Sequence, residues 1–424
     1  MKNIQDKTYE IFGLSKKIIN LANESEGTLQ DKFKEIDDIS LFNTAKVLKA
    51  FNENKISESH FNATTGYGYD DIGREAIEKV YASIFKAEDA LVRINFVNGT
   101  HALSTALMGN LMPGDILLSI TGAPYDTLAE TIGIVQNNLS LISYGVKYRQ
   151  VDLVKGEIDI NKVLDVVSKE KIKMVFIGRS RGYENRPSLS ISKLEQVISK
   201  IKEIDNNIIV MVDNCYGELV ETREPIEIGA DLIAGSLIKN LGGGLCETGG
   251  YIVGRKDLVE NAAKRLTAPG IGKECGATLG KNREIIQGLF MAPSVVKNAV
   301  KTAVFTAHML EKLGYKVSPT WNEKRTDLIQ SIIFNDKEKL ISFIQGIQKA
   351  SPVDSFVTPM PWDMPGYSDP VIMAAGTFVS GASIELSADA PVKEPYVAYM
   401  QGGLTYESAK LAVLVAIDEM LKKE

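Results

Sequence analysis

Histidine and cysteine are scarce in this 424-residue sequence. There are three of each: His60, His101 and His308, and Cys215, Cys246 and Cys275. Three cysteines cannot build a disulfide framework, which points to a reducing, cytoplasmic setting. None of the six stands at C-x-x-C or H-x-x-x-H spacing, so no metal site is expected. Long hydrophobic runs are also missing. The longest, Leu411–Ile417, falls far short of a bilayer span, so no membrane partner is expected. The Met-Lys-Asn-Ile-Gln-Asp start has no apolar segment behind it that would read as a signal peptide. Positive charge is not in excess either: 48 Lys plus Arg face 54 Asp plus Glu, a formal net charge of −6. The basic residues are interspersed with acids, which argues against a nucleic-acid partner. An enzyme of this composition must draw its chemistry from Lys, Asp, Tyr or a borrowed cofactor.

What is present reads as an α/β protein. Apolar residues at helical spacing (Ile4, Ile11, Leu14 and Ile18, then Phe33, Ile36, Leu41, Val47 and Phe51) predict a helical N-terminal segment, taken as residues 1–60. The glycine- and tyrosine-rich loop Thr65–Arg74 follows. Short apolar runs then alternate with helices. Strands are expected at Asp115–Ile120, Ser140–Tyr144, Lys173–Ile177, Asn207–Val212, Leu232–Ser236 and Gly250–Val253, with helices such as Glu75–Phe85 and Ile191–Ile204. That alternation predicts a large, mainly parallel sheet with helices on both faces, over residues 61–288. A smaller α+β domain is expected over 289–424. It would hold a helix from Ser294, strands at Leu328–Phe334 and Ala382–Leu386, a proline-rich loop at Thr358–Pro365 and a closing helix at Tyr406–Lys422. Gly276–Gly288 is the expected hinge.

Five short stretches carry residues suited to chemistry. Ala234–Gly244 runs an apolar strand into Lys239 and three glycines, with Ser236 nearby. A lysine ending a buried strand suits Schiff-base chemistry with a carbonyl cofactor, although an exposed lysine at a strand–loop junction fits equally. Asp213 ends the apolar strand Ile208–Val212. There a carboxylate can hold a pyridinium nitrogen protonated, or simply cap a helix. Gly99 and Thr100 open a helix whose free N–H groups suit a phosphate. Pro124 stiffens the loop before Tyr125, whose ring is placed to lie over something flat. Gly178–Pro187 gathers Arg179, Arg181 and Arg186, planar forks for a carboxylate or phosphate unless they form an ordinary solvated loop.

The order of these pieces resembles the fold-type I enzymes that use pyridoxal 5'-phosphate (PLP), and in particular their cystathionine and methionine gamma-lyase branch. Gly99 precedes Tyr125, and Asp213 precedes Lys239, by 26 positions each. Thr65–Arg74, Asn98–Ala102, Gly178–Tyr183 and Tyr399–Tyr406 are similar to the bacterial aluminium-resistance subgroup. The resemblance runs from about residue 60 to the C-terminus. It implies a carbon–sulfur lyase for a small sulfur-containing amino acid, with Lys239 as the PLP-binding and proton-moving lysine. By the same resemblance Asp213 would pair with the ring nitrogen, and Tyr125 would stack on the ring and serve the reaction. Gly99, Thr100 and Ser236 would hold the phosphate. Tyr67 would reach the neighbouring subunit's site, in a homodimer or homotetramer with shared active sites. The branch has Thr where this chain has Ile238, and a carboxylate-binding Arg that Thr377–Glu385 lacks. Arg179 or Arg181 is therefore the expected carboxylate clamp. A PLP-dependent aldolase or aminotransferase remains open, as does a non-enzymatic metal-resistance role. A penicillin-binding hydrolase would share Ser236-x-x-Lys239, but Lys301-Thr302 is followed by Ala303 rather than Gly.

Overall fold

The computed structural model describes residues 4–182, 184, 186–363 and 369–422. Tyr183 of the arginine-rich loop and the end of the proline-rich loop from Met364 therefore lie outside the described residues. Contacts divide the chain into two compact units, Phe42–Ala292 and Met1–Leu41 with Pro293–Glu424.

The unit Phe42–Ala292 is built on seven strands: β1 (Asp89–Arg93), β2 (Ile116–Ser119), β3 (Lys147–Gln150), β4 (Met174–Gly178), β5 (Ile209–Asp213), β6 (Leu232–Ser236) and β7 (Gly250–Gly254). Their order across the sheet is β1-β7-β6-β5-β4-β2-β3. Pairing is parallel from β3 through β6, and only β7 runs antiparallel to its neighbours. Strand side chains alternate between faces. Leu117, Met174, Phe176, Ile209, Met211, Leu232, Ala234 and Ile252 join one core with helices Gly99–Asn110 and Lys256–Leu266. The alternate positions Val175, Ile177, Val210, Val212 and Ile233 are buried as well. Both faces are thus covered, which is why these strands read as unbroken apolar runs. By the same alternation Asp213 and Ser236 belong to the face that carries helix Gly99–Asn110.

Three expectations for this unit change. Ser140–Tyr144 is not a strand but a turn, with Tyr144 N–H donating to Ser140 O at 3.2 Å. Ile142 is 41% and Tyr144 53% exposed, so the segment places too few apolar groups inward to form a ladder. The strand here is β3, and β1 joins the sheet from Asp89–Arg93. Within Gly276–Gly288, the residues from Asn282 onward belong to one helix, Asn282–Lys312, rather than a hinge.

The second unit holds an antiparallel sheet of β8 (Lys316–Ser318), β9 (Gln330–Ile333), β10 (Val371–Ala374), β11 (Ser387–Pro391) and β12 (Val397–Gln401), ordered β10-β11-β12-β9-β8. Helices Lys337–Lys349 and Tyr406–Leu421 pack so closely that a Cβ on Gly346 would stand 2.4 Å from Ala416 Cα. Ala382–Leu386, expected as a strand, is a turn leading into β11. The first helices do not form a segment of their own. Ser25 hydrogen-bonds His308 at 2.9 Å, Lys410 pairs with Glu26 at 2.8 Å, and Phe33 meets the Tyr406 ring edge-on at 5.3 Å. An amphipathic helix must cover its apolar stripe, and here residues 1–41 do so within this unit. Among the described residues no helix is long and apolar enough to cross a membrane.

Candidate functional site

All the expected site residues lie in the unit Phe42–Ala292. The carboxyl ends of β4, β5 and β6 sit side by side, with Gly178 paired to Asp213 and Asp213 to Ala234. In open parallel sheets this edge is where ligands bind. β6 ends at Ser236, and Lys239 stands three residues on, before the short 3-10 turn Asn240–Gly242.

Helix Gly99–Asn110 points its N-terminus at this edge. Asn98 caps it by accepting from His101 N–H at 2.9 Å, which leaves the N–H groups of the first turn without intrahelical partners. A Cβ built on Gly99 would stand 3.3 Å from Ser236 Cβ and 3.6 Å from Cys215 Sγ. The missing side chain therefore lets the helix start approach Ser236 closely. Ser236 is buried, and its hydroxyl accepts from Ile238 N–H at 3.3 Å, leaving its own hydrogen to donate. Gly99, Thr100 and Ser236 are thus brought together. The Thr100 hydroxyl also bonds the Tyr125 hydroxyl at 2.9 Å and Thr127 at 3.0 Å. This ties Tyr125, 42% exposed, to the same corner.

Charge is concentrated around Lys239. Burial opposes its ammonium, but Cys215, Tyr216, Asp213 and Tyr125 outweigh that and hold its pKa well above the ordinary lysine range. The Asp213 pKa rises as well, which for a carboxyl favours the neutral form. Burial pushes its carboxyl up, opposed by the Lys239 charge, by the Cys215 N–H that donates to Oδ1 at 3.1 Å, and by Arg186. Burial, with the negative field of Asp213, raises the Tyr125 phenol. A half-buried lysine and a half-buried carboxyl in mutual range suit the exchange of a proton.

Arg179 does not behave as a carboxylate clamp. Arg179 is fully buried, with Nε near Leu189 O at 3.4 Å and Nη1 donating to Asn214 Oδ1 at 2.8 Å and Gly217 O at 3.0 Å. Its Nη2 meets Glu221 at 3.1 Å, and Glu224 lies 3.8 Å from Nη1. Its donors are spent inside the protein, so the expected substrate role of Arg179 is corrected to a structural one. Arg181 is also buried, at 1% exposure, and does not present its guanidinium to solvent as a clamp would. Arg186 bonds Glu184 and donates to Ser180 O at 2.5 Å.

Tyr67 projects from its loop, 71% exposed, with its ring stacked on Tyr69 at 5.5 Å. The loop is pinned from below. Asp71 accepts from Arg74 N–H at 2.8 Å, Thr278 at 2.7 Å, Asn282 at 3.2 Å and the Thr64 hydroxyl. Arg74 Nη1 donates to the carbonyls of Gly68 and Gly276 at 2.6 and 2.7 Å. The Asp71 and Arg74 positions of the Thr65–Arg74 motif are therefore a clamp on the tyrosine loop.

Two neighbours of Lys239 escaped the sequence reading. Cys215 and Tyr216 follow Asp213 and Asn214, and Tyr216 adopts φ 70°, a left-handed conformation that costs a residue with a Cβ about 1–2 kcal/mol. The Tyr216-Gly217 pair after a strand-end Asp was the available signal for a tight elbow. Behind them Glu218 is fully buried, pushed up to about 8 by burial even though Tyr251 donates to it at 2.6 Å. Among the described residues no group of three or more His, Cys, Asp or Glu is placed to hold a metal ion.

The family model for methionine gamma-lyase matches residues 18–421. An uncharacterized protein of Bacillus subtilis (strain 168), YnbB, is 53% identical over 95% of this chain and 96% of its own length. A carbon–sulfur lyase involved in aluminum resistance from Clostridium novyi NT superposes with a TM-score of 0.95 at 49% identity, over 99% of both chains. The pyridoxal-5'-phosphate-dependent protein YhfS of Escherichia coli shares the fold, with a TM-score of 0.61 at 17% identity over 92% of this chain and 97% of its own.

Proposed function

The chain belongs to the methionine gamma-lyase family, and from that premise we propose that it is a PLP-dependent carbon–sulfur lyase acting on a sulfur-containing amino acid. The observation that carries this reading is the meeting of four features at one sheet edge: Lys239, the half-buried carboxyl of Asp213, the side-chain-free approach at Gly99, and the Ser236 hydroxyl. The cofactor fits these residues. A phosphate matches the helix start at Gly99 and Thr100 with Ser236, and a ring nitrogen matches a carboxyl that lacks enough positive charge in its half-buried setting. When bound, PLP supplies an electron sink that acidifies the Cα–H of an attached amino acid.

The residues of the chain do the rest. Lys239 holds the cofactor at rest and, once released, takes the proton from the substrate's Cα and returns it later in the reaction. Asp213 keeps a proton at the ring nitrogen. Tyr125, anchored through Thr100, would lie against the cofactor ring and would donate a proton to a departing sulfur. We assign Tyr67, on its pinned loop, to the phosphate site of a second subunit in a homo-oligomer. The substrate carboxylate is bound by a group other than Arg179.

The test has two stages. Purified protein should show the visible absorbance of bound cofactor, and Lys239→Ala should abolish it; absorbance that survives in that variant removes Lys239 from the reading. Release of a 2-oxo acid and a thiol from cystathionine, methionine or cysteine then tests the lyase assignment. Bound cofactor without turnover of any of the three refutes it.

A further inference from the structure

Lys239 is faced by groups from three elements. Asp213 ends β5; Cys215, Tyr216 and Glu218 lie on the segment that follows; Tyr125 caps the helix Asp126–Ile132. Of these, Tyr216 makes the direct contact, with the Lys239 Nζ standing 4.1 Å from the centre of its ring. That is within the range in which an aromatic face attracts a cation. The contact is built on an unfavourable backbone. Tyr216 takes φ 70° and Leu219 takes φ 62°, both left-handed and both bearing a Cβ. The elbow between them is held from the far side. Arg179 fills the space over Gly217, where a Cβ would stand 2.5 Å from Nη1, and it binds Gly217 O and Asn214 Oδ1. Glu224 accepts from Leu219 N–H at 2.8 Å and from Asn214 at 3.1 Å. Strained residues persist only where their surroundings over-determine them, and here the strain aims one ring at one lysine.

We propose that Tyr216 is a positioning residue for Lys239: the left-handed elbow, braced by Arg179 and Glu224, presents the Tyr216 ring to the ammonium and so sets where Nζ waits and how readily it gives up its proton. The ring face matters, and the hydroxyl does not. Tyr216 thereby supplies a hold on the lysine that a flexible four-carbon stem lacks. Asp213 contributes its carboxyl, while Tyr216 contributes a ring face that holds the ammonium in place. The importance of Lys239 rests on the reading above, but the Tyr216 contact belongs to the chain alone and is testable without cofactor.

The experiment uses cofactor-free protein treated with an amine-acylating reagent between pH 7 and 10. Labelling at Lys239 is read by peptide mass spectrometry against the exposed Lys264. Tyr216→Leu fills similar space without a π face. It should label Lys239 up to about tenfold faster at a given pH, equivalent to a fall of about one pKa unit. Tyr216→Phe should stay within about twofold of the parent. Tyr216→Gly relieves the left-handed strain, should keep a cooperative melt, and should show the same rise as Leu. A Leu or Gly variant that labels at the parent rate, or a Phe variant that rises with them, overturns the proposal. Loss of cofactor absorbance in Lys239→Ala is a separate readout, so failure of the family-based reading and failure of this one are told apart.

Discussion

Replacing Arg179 with methionine separates two accounts of the arginine-rich loop. If Arg179 is the brace described above, the substitution leaves Glu221 and Glu224 buried, at 6% and 0% side-chain exposure, without the cation that faces them at 3.1 and 3.8 Å. Asn214 Oδ1 and Gly217 O also lose their donor. Other bonds to the carboxylates survive: Glu221 still accepts from Ile191 N–H at 2.8 Å, and Glu224 from Leu219 N–H. Removing one partner of a buried pair costs about 3–5 kcal/mol, against a total stability of roughly 5–15. At roughly 2–4 °C per kcal/mol for a domain of this size, the melting temperature should fall by about 6–20 °C. Arg179→Lys keeps the charge but loses the planar fork and should fall between the two. The assay is thermal and urea unfolding of both variants, with kcat and KM measured on the surviving folded fraction. A methionine variant that melts within about 1 °C of the parent, while its KM for amino acid rises more than tenfold, would refute the brace and restore the carboxylate clamp.

Two further predictions follow from the same geometry. Gly99→Ala should leave the melting temperature within a few degrees of the parent, since the helix preference of alanine, up to about 0.5–1 kcal/mol, is opposed by a tight 3.3 Å contact of the new methyl with Ser236 Cβ. Its new methyl crowds the approach to Ser236, so PLP affinity should drop about tenfold or more, the worth of one charge-assisted hydrogen bond; titration of cofactor-free protein checks this, and unchanged affinity excludes Gly99 from the phosphate site. Glu218, with its pKa raised from 4.5 to about 8, contributes stability that is full below about pH 4.5 and is lost as pH rises toward 8. Glu218→Gln does not titrate, so its melting temperature relative to the parent should climb from pH 5 to pH 8; a flat difference contradicts a protonated Glu218.

The parts of this protein that the sequence exposes share a property: each is determined within a few residues of chain. β4 through β7 are visible because a strand covered on both faces must be apolar throughout. Ile191–Ile204 is visible because its apolar residues recur at helical spacing and Ser190 caps it, accepting from Lys193 N–H. β1, β3, β8 and β11 are not visible in this way, whereas β10 and β12 carry apolar runs that escaped the sequence reading. β1 is bounded by Asp89 and Arg93, and β11 carries Ser387, Asp389 and a terminal Pro391, so neither shows an apolar run. Their strand character comes from the neighbours they pair with. Ser140–Tyr144 errs in the opposite direction, with strand-like residues and no neighbour to receive them.

The same division governs the site. Lys239 after a buried strand, Asp213 at the end of the strand before it, and the Gly99 helix start are local statements, and together with the family resemblance they propose a site from sequence alone. Whether an arginine meets substrate or glutamate is not local. Arg179 is defined by Glu221 and Glu224, more than forty positions away, and by complete burial, which only tertiary packing brings about. Tyr216 depends on packing in the same way: Tyr216-Gly217 hints at an elbow, but the ring reaches Lys239 only because that elbow is braced from behind. The scarcity of histidine and cysteine directed the reading to lysine, aspartate and tyrosine. Which tyrosine touches the lysine, and which arginine stays inside, was decided by how the chain closes on itself.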